Sequence, residues 1–140
     1  HSRVANSNMS LLGKMGAKVH LIAPKTLQPE IVAGHVSVFE TLEDGLKGCD
    51  VVMPLRIQKE RMDQSAIPDE RAYFHAYGLT LDRLDHAKKD AIVLHPGPMN
   101  RGIEIADDVA DDPVHSAIFH QGANGVPVRM AVLDLLVGGE

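Results

Sequence analysis

The sequence has few aromatic residues and almost no cysteine. Its 140 residues include no tryptophan, three phenylalanines, two tyrosines and the single cysteine Cys49. A core built from this chain must therefore be mostly aliphatic. One cysteine cannot form an internal disulfide, so nothing points to an oxidising compartment. Because no basic residue adjoins Cys49, we expect a small packing residue rather than a nucleophile.

An excess of positive charge and long apolar runs are also absent. The formal net charge is -5, which argues against nucleic-acid binding because that function needs a basic face. No run approaches the ~18 apolar residues of a membrane span, and the first residues lack the apolar segment of a signal peptide. We expect a cytoplasmic protein that binds neither nucleic acid nor membrane. Since the chain starts at His1 rather than methionine, we also expect a piece of a longer protein.

Nucleotide and metal motifs are missing as well. No G-x-G-x-x-G follows the first predicted strand and no Walker lysine motif occurs, which disfavours nucleotide binding. The eight histidines are scattered, without an H-x-x-x-H or C-x-x-C arrangement. Structural histidines are therefore expected rather than metal ligands. The sequence predicts no metal and no cofactor.

The pattern that is present alternates strands with helices. Apolar runs bounded by proline or glycine predict strands at 17–23, 36–39, 50–54 and 91–94. Helical spacing and caps predict helices at 6–15, 41–46, 81–86 and 128–136. Two short segments are ambiguous: 27–31 fits a short helix or turn, and 73–77 fits a helix end or a short strand. Segment 107–113 fits an acidic loop with one helical turn, and 116–120 fits either a strand or a helix. The predicted fold is one α/β domain with a doubly wound, Rossmann-like parallel sheet flanked by helices. In the last helix, the expected buried stripe consists of Val128, Ala131, Val132 and Leu135.

The predicted fourth strand leads into a candidate site at 95–98. Its sequence, His95-Pro96-Gly97-Pro98, must leave the sheet because two prolines fix φ and remove backbone donors. Gly97 permits either an unusual backbone conformation or a close approach that a side chain would block. Carbonyl groups at such a turn are free to accept from a ligand, and ligands of open α/β sheets bind beyond the carboxyl ends of strands. A plain Pro-Gly-Pro loop is the alternative.

A second candidate follows the third predicted strand. In PLRIQKER at 54–61, Arg56 and Gln58 alternate around Ile57, so an extended segment would point both polar side chains the same way. An arginine can grip a carboxylate with two parallel hydrogen bonds, and a glutamine can steady it. For Arg56 a site role and a surface role both stay open. The run 59–61 is expected to be an ordinary solvated charge run.

Four segments resemble aspartate carbamoyltransferases. HPGPMNRGIEI at 95–105 closely resembles a loop of that family, and three more segments resemble it in the same order. These are HSRVA at 1–5, PLRIQKER at 54–61 and QGANGVPVRMA at 121–131. The resemblance covers most of the chain but only the second half of the family's catalytic chain. It implies that 1–140 is the aspartate-binding domain, whereas the N-terminal carbamoyl-phosphate domain, with its Ser-Thr-Arg-Thr loop, is absent.

The resemblance also implies roles for individual residues. L-aspartate would be bound by Arg3, Arg56 and Gln58. The carbamoyl group of carbamoyl phosphate would be held by the main chain of Pro96, Gly97 and Pro98. Structural support would come from Arg61, Arg101, Glu104 and Arg129, with no residue assigned as catalytic. In the family the loop corresponding to 62–73 closes over substrate, and the last helix packs across the first domain.

The implied reaction is carbamoyl transfer from carbamoyl phosphate to L-aspartate, giving N-carbamoyl-L-aspartate and phosphate in pyrimidine biosynthesis. The isolated domain is expected to be inactive. The implied partners are the carbamoyl-phosphate domain, a homotrimer of full-length chains, and regulatory or dihydroorotase-like chains. Two alternatives stay open. Ornithine carbamoyltransferase is disfavoured because its HCLP-type loop differs from HPGP, and because ornithine gives Arg56 no obvious task. A noncatalytic assembly module is disfavoured because it has no need of Arg3, Arg56 and Gln58 together.

Overall fold

The computed structural model describes residues 2–57 and 69–138. Two predicted site residues, Gln58 and Arg61, lie outside the described residues, as do the charge run 59–61 and most of the predicted loop at 62–73.

Helices and short parallel strands alternate along the described chain. The helices are α1 (Arg3–Lys14), α2 (Leu42–Gly45), α3 (Glu70–Tyr77), α4 (Leu81–Leu84), α5 (Asp107–Ala110) and α6 (Ile118–Val137). The strands are β1 (Val19–Ile22), β2 (Val36–Phe39), β3 (Val51–Val52) and β4 (Ile92–Val93), and a 3-10 turn covers Lys25–Leu27. All four predicted strands are confirmed, with β2 at its predicted bounds and the others shorter.

The strands pair in parallel. β1 pairs with β2 from Val19↔Val36 onwards, and β3 pairs with β4 from Val51↔Ile92 onwards. A parallel bridge between Val93 and Ser116 adds a third chain segment beside β4. Parallel neighbours require a crossover connection, which the intervening helices provide. The predicted α/β fold with parallel strands is therefore confirmed.

The core is aliphatic, as the scarcity of aromatic residues predicts. Its largest fully buried side chains are Leu46, Leu79, Val93, Ile105 and Val109. Ile22 of β1 packs against a cluster that contains Val52 of β3 and Val93 of β4, so both strand pairs contribute to one core. Cys49 packs against this cluster and its thiol donates to the Gly45 carbonyl oxygen at 3.3 Å. Burial raises the pKa of that thiol, in accord with the predicted packing role.

The first helix begins earlier than predicted. It starts at Arg3 rather than residue 6, because the Ser2 side chain accepts a hydrogen bond from the Ala5 N–H and caps it. At its other end Gly16 has φ +82°, and the Ala17 N–H returns to the Leu12 carbonyl oxygen at 3.0 Å. That backbone pattern favours glycine, as the predicted C-terminal stop requires.

Helix α3 resolves the ambiguity at 73–77 in favour of a helix. Asp69 caps it by accepting from the Arg71 N–H at 3.0 Å, and one helical turn brings Tyr73 and Tyr77 into contact with ring centroids 5.4 Å apart. The one-turn helix expected in the acidic segment is α5. The helix predicted at 81–86 is the shorter α4, which Thr80 caps by accepting from the Arg83 N–H.

The prediction for the last helix is wrong in two respects. It begins at Ile118, not at 128, and continues through Gly122, Gly125 and Pro127. The expected buried stripe is exposed: Val128 is 59% exposed and Leu135 82%. Only the first turn reaches the core, through Ile118, so the later turns have nothing to pack against within the described chain. Of the described helices, none is long and apolar enough to cross a membrane.

Candidate functional site

The two candidate segments lie at the same edge of the β3–β4 pair. Because the strands are parallel, their carboxyl ends coincide, and the Leu94 N–H donates to the Val52 carbonyl oxygen at 2.9 Å. Beyond the strands, Asn100 Nδ2 donates to the Ile57 carbonyl oxygen at 3.4 Å. This bond joins the segment of half-buried Arg56 to the segment that follows the His-Pro-Gly-Pro turn. The structure thus holds the segment of Arg56 next to the residues that directly follow the turn at 95–98.

The turn at 95–98 has a buried first residue and an exposed tip. His95 is 3% exposed, whereas Pro96, Gly97 and Pro98 are exposed. Gly97 has φ +65° and precedes a cis peptide bond to Pro98. A Cβ placed at Gly97 would meet no atom within 4 Å. The structure therefore supports the predicted backbone conformation as the reason for this glycine, and no atom of the described chain approaches it closely.

A buried hydrogen-bond network supports the turn from beneath. His95 Nε2 lies 3.2 Å from Glu104 Oε1, and the Asn100 N–H donates to the same oxygen at 2.5 Å. The Gln121 side chain accepts from the His95 N–H at 2.8 Å. Glu104 is 2% exposed, and its Oε2 has no hydrogen-bond partner among the described residues. This position beneath the turn suits the supporting role predicted for Glu104.

Arg101 supports a different part of the domain. Its guanidinium binds Asp111 through two nitrogens, at 2.7 and 2.8 Å, and Asp107 at 3.0 Å. The hydrogen bonds from Arg101 lower the pKa of the Asp111 carboxyl group. The side chain therefore fastens α5 and the residue after it to the segment that follows the turn, without contacting the turn itself.

Arg3 and Arg129 make no described contact with the Arg56 segment or the turn. Arg3 is exposed at the start of α1. Helix α1 packs on β1, which follows it in the chain. Arg129 is exposed on α6, where Nη1 donates to the Gly125 carbonyl oxygen of its own helix at 3.1 Å.

The sequence placed His95 in the candidate turn and Asn100 just after it, but it predicted no role for His95, Asn100 or Gln121. His95 carried a usable signal, because a polar residue directly after a buried strand and before a proline lies at the strand's carboxyl end. The contacts of Asn100 and Gln121 could not be predicted, since their partners are 43 and 26 residues away in sequence.

The Tyr73 hydroxyl should make stability fall at high pH. Burial, followed by the negative charge of Glu104, raises its pKa from 10.0 to about 12. As the pH rises, the unfolded chain therefore releases this proton at a lower pH than the folded chain does. The protonated hydroxyl makes its full contribution to the free energy of unfolding below pH 10, and this contribution declines as the pH rises toward 12. We expect the free energy of unfolding of Tyr73→Phe to fall less steeply with pH across that range than that of wild type. Urea titrations at each pH test this, with Tyr77→Phe as the less buried control; equal slopes for wild type and Tyr73→Phe would contradict it.

Comparison with known proteins identifies the domain. The family model "Aspartate/ornithine carbamoyltransferase, Asp/Orn binding domain" matches residues 1–136. The chain is 57% identical over 137 residues to the aspartate carbamoyltransferase catalytic subunit of Dinoroseobacter shibae, covering 97% of this chain and 43% of that subunit. It is 56% identical over 138 residues to the Brucella ovis subunit, with 98% and 42% covered. The chain thus spans less than half the length of these relatives.

Solved structures agree on the fold. Ornithine carbamoyltransferase from Pyrococcus furiosus matches with TM-score 0.83 and 27% identity, over 97% of this chain and 47% of that one. Anabolic ornithine carbamoyltransferase from Campylobacter jejuni matches with TM-score 0.78 over 96% and 48%, and at 20% identity it shows the fold alone. The chain therefore belongs to the aspartate/ornithine carbamoyltransferase family, in which it corresponds to the Asp/Orn-binding domain.

Proposed function

We propose that this chain supplies the aspartate-binding half of an enzyme that carbamoylates L-aspartate. The observation that carries the proposal is the hydrogen bond from Asn100 to the Ile57 carbonyl oxygen. It holds the segment of Arg56, which we propose binds a substrate carboxylate, next to the residues that follow an exposed turn. The identity of 56–57% with subunits named aspartate carbamoyltransferase supports the same conclusion.

The chemistry needs positive charge and precise placement. Aspartate and carbamoyl phosphate are both anionic, so cations must bring them together, and Arg3, Arg56 and Gln58 would bind the aspartate carboxylates. The aspartate amine then forms a bond to the carbonyl carbon, and the bond from that carbon to the phosphate oxygen breaks. Phosphate leaves with the electron pair of that bond. It takes up the proton that the attacking nitrogen loses. Orientation supplies much of the acceleration.

Residues 96–98 would hold the carbamoyl group by its amino nitrogen. Within the described chain no hydrogen bond ends on the carbonyl oxygens of these residues. The residues are exposed and stand beyond the carboxyl end of β4. An amide N–H is the donor that such oxygens accept. The bridging anhydride oxygen and the phosphate of the substrate would then point away from this domain, towards a phosphate-binding group that the proposed second domain supplies.

Helix α6 supports the proposal that this domain works with another. Nine large apolar side chains of the helix are exposed, and a soluble domain rarely leaves so much apolar surface uncovered. They are Phe119, Val126, Val128, Met130, Val132, Leu133, Leu135, Leu136 and Val137. The carbamoyl-phosphate domain would cover them, and the domain alone would be inactive. Further parts of the proposal are a homotrimer of full-length chains and a cytoplasmic location.

The assay of choice combines this chain with a separately produced carbamoyl-phosphate domain and measures N-carbamoyl-L-aspartate. Product that forms only on mixing supports the proposal. Full-rate turnover by this chain alone contradicts the assignment of a half-site. No product, together with aspartate-independent association of two folded halves, would favour the assembly module instead.

Acceptor preference distinguishes aspartate from ornithine. Relatives at 56–57% identity carry the aspartate name, whereas the two solved structures named for ornithine that are described above are 27% and 20% identical. A carboxylate side chain suits an arginine and a cationic one is repelled by it, so we expect aspartate to be preferred by at least about 100-fold in kcat/KM. Competition between the two amino acids for carbamoyl phosphate measures this preference, and a preference for ornithine would reverse the assignment.

A further inference from the structure

We infer that His95 is a positioning residue that turns residues 95–98 into a surface offering only hydrogen-bond acceptors. The inference rests on the proposed function and deepens it, because it explains how the turn selects a carbamoyl group over other acyl groups. It assigns a task to a buried side chain that the proposed chemistry does not otherwise use.

The first step concerns the backbone donors of the turn. Pro96 and Pro98 have no N–H. The His95 N–H is taken by Gln121 Oε1 at 2.8 Å, and the Gly97 N–H donates to His95 Nδ1 at 2.9 Å. From residue 95 to 98 every backbone donor is therefore absent or used internally, while the carbonyl oxygens receive no hydrogen bond from the described chain. A ligand can bind here only by donating.

The second step concerns the imidazole. Because Nδ1 accepts from the Gly97 N–H, the ring proton must be on Nε2, where it donates to Glu104 Oε1 at 3.2 Å. Glu104 thereby fixes the tautomer, as a carboxylate beside a histidine commonly does. Its Oε1 also accepts from the Asn100 N–H, so one buried oxygen holds the imidazole and the chain after the turn in a common position.

The consequence is selectivity at the acyl group. The NH2 group of carbamoyl phosphate can donate to the turn, whereas the methyl group of acetyl phosphate cannot. Bound acetyl phosphate would leave the carbonyl oxygens of the turn without a hydrogen-bond donor once water is excluded. Leaving such acceptors unsatisfied costs binding free energy. If the Gly97 N–H were released from His95, the turn would gain a donor and lose its fixed direction. Discrimination between these two acyl phosphates should then weaken.

Two substitutions separate the two bonds of the imidazole. In His95→Asn the side-chain oxygen occupies the place of Nδ1 and can accept from the Gly97 N–H, but the bond to Glu104 is lost. In His95→Gln the amide nitrogen occupies the place of Nε2 and can donate to Glu104, but the bond to Gly97 is lost. Each variant loses one buried hydrogen bond, so each controls for the destabilisation of the other.

The test uses the active enzyme, this chain together with the carbamoyl-phosphate domain. It measures KM for carbamoyl phosphate, KM for aspartate and inhibition by acetyl phosphate. We expect His95→Gln to lower the preference for carbamoyl over acetyl phosphate by about tenfold, with KM for aspartate changed less than twofold. His95→Asn should keep the preference. Equal losses in both variants, or an unchanged preference in His95→Gln, would overturn the inference.

Amide hydrogen exchange at Gly97 gives a readout that does not depend on turnover. We expect slow exchange in wild type and His95→Asn, and exchange at least about tenfold faster in His95→Gln. If no carbamoyl aspartate forms but Gly97 is protected as expected, the proposed function fails while the acceptor-only turn stands. If carbamoyl aspartate forms but Gly97 exchanges freely in wild type, the proposed function stands and the role of His95 is wrong.

Discussion

Ile105→Ala should lower the free energy of unfolding by about 2–5 kcal/mol, the usual range for truncating a large buried aliphatic side chain. Ile105 is fully buried and belongs to the core cluster. Its segment is bound on both sides: the Leu79 N–H donates to the Glu104 carbonyl oxygen at 3.1 Å, and the Ala106 N–H to the Leu79 carbonyl oxygen at 2.9 Å. The cavity left by the substitution has no easy way to collapse. Urea-induced unfolding measures the change.

Ile31 provides a matched control, because it is the same residue type but 88% exposed. Ile31→Ala should change the unfolding free energy by less than about 0.5 kcal/mol. Ile105→Val should cost about 0.5–1.5 kcal/mol, since it removes only one methylene. If the two alanine substitutions cost the same, the core does not lie beneath the candidate site.

Arg56→Ala should raise KM for aspartate by about 30-fold or more in the reconstituted enzyme, because removing one partner of a desolvated charge pair costs about 2–5 kcal/mol. KM for carbamoyl phosphate should change far less, since the turn at 95–98 binds the acyl group with its own carbonyl oxygens. Arg56→Lys should restore only part of the loss, because an ammonium group cannot form two parallel bonds to a carboxylate. Steady-state kinetics with each substrate varied in turn measures the difference.

Lys89 controls for net charge in this experiment. It is exposed in the connection before β4, at the other end of that strand from the turn at 95–98, so Lys89→Ala removes the same charge without touching the proposed site and should leave both KM values within about twofold. Equal effects of the two alanine substitutions would mean that Arg56 acts through the overall charge of the protein and does not bind aspartate.

Local patterns in the sequence predicted the strands and the location of the site. Val36–Phe39 matches its predicted bounds because an apolar run between turn residues specifies a strand without tertiary help. Arg56 and Gly97 could be placed at strand ends for the same reason. The bond from Asn100 to Ile57 and the buried pair of His95 and Glu104 could not be predicted, since they depend on side chains meeting across the fold.

Helix α6 shows a different limit to what the sequence can predict. Gly122, Gly125 and Pro127 are helix-breaking signals when considered locally, yet the helix passes through them. The apolar residues of its second half were expected to be buried because of their type. Burial also needs a surface to pack against, and the sequence of one domain does not contain the surface of another. The pattern predicted which residues avoid water but not what would cover them.

Because the second half of α6 is exposed, the stability of this domain depends on the concentration of the partner that covers the helix. A partner that binds only the folded form stabilises it by mass action, by about 2.7 kcal/mol when its free concentration is 100 times the dissociation constant. Without the covering domain, this domain would lose that contribution and be less stable. Proteases and chaperones would then remove it more readily, so its abundance in a cell would follow the availability of the covering domain.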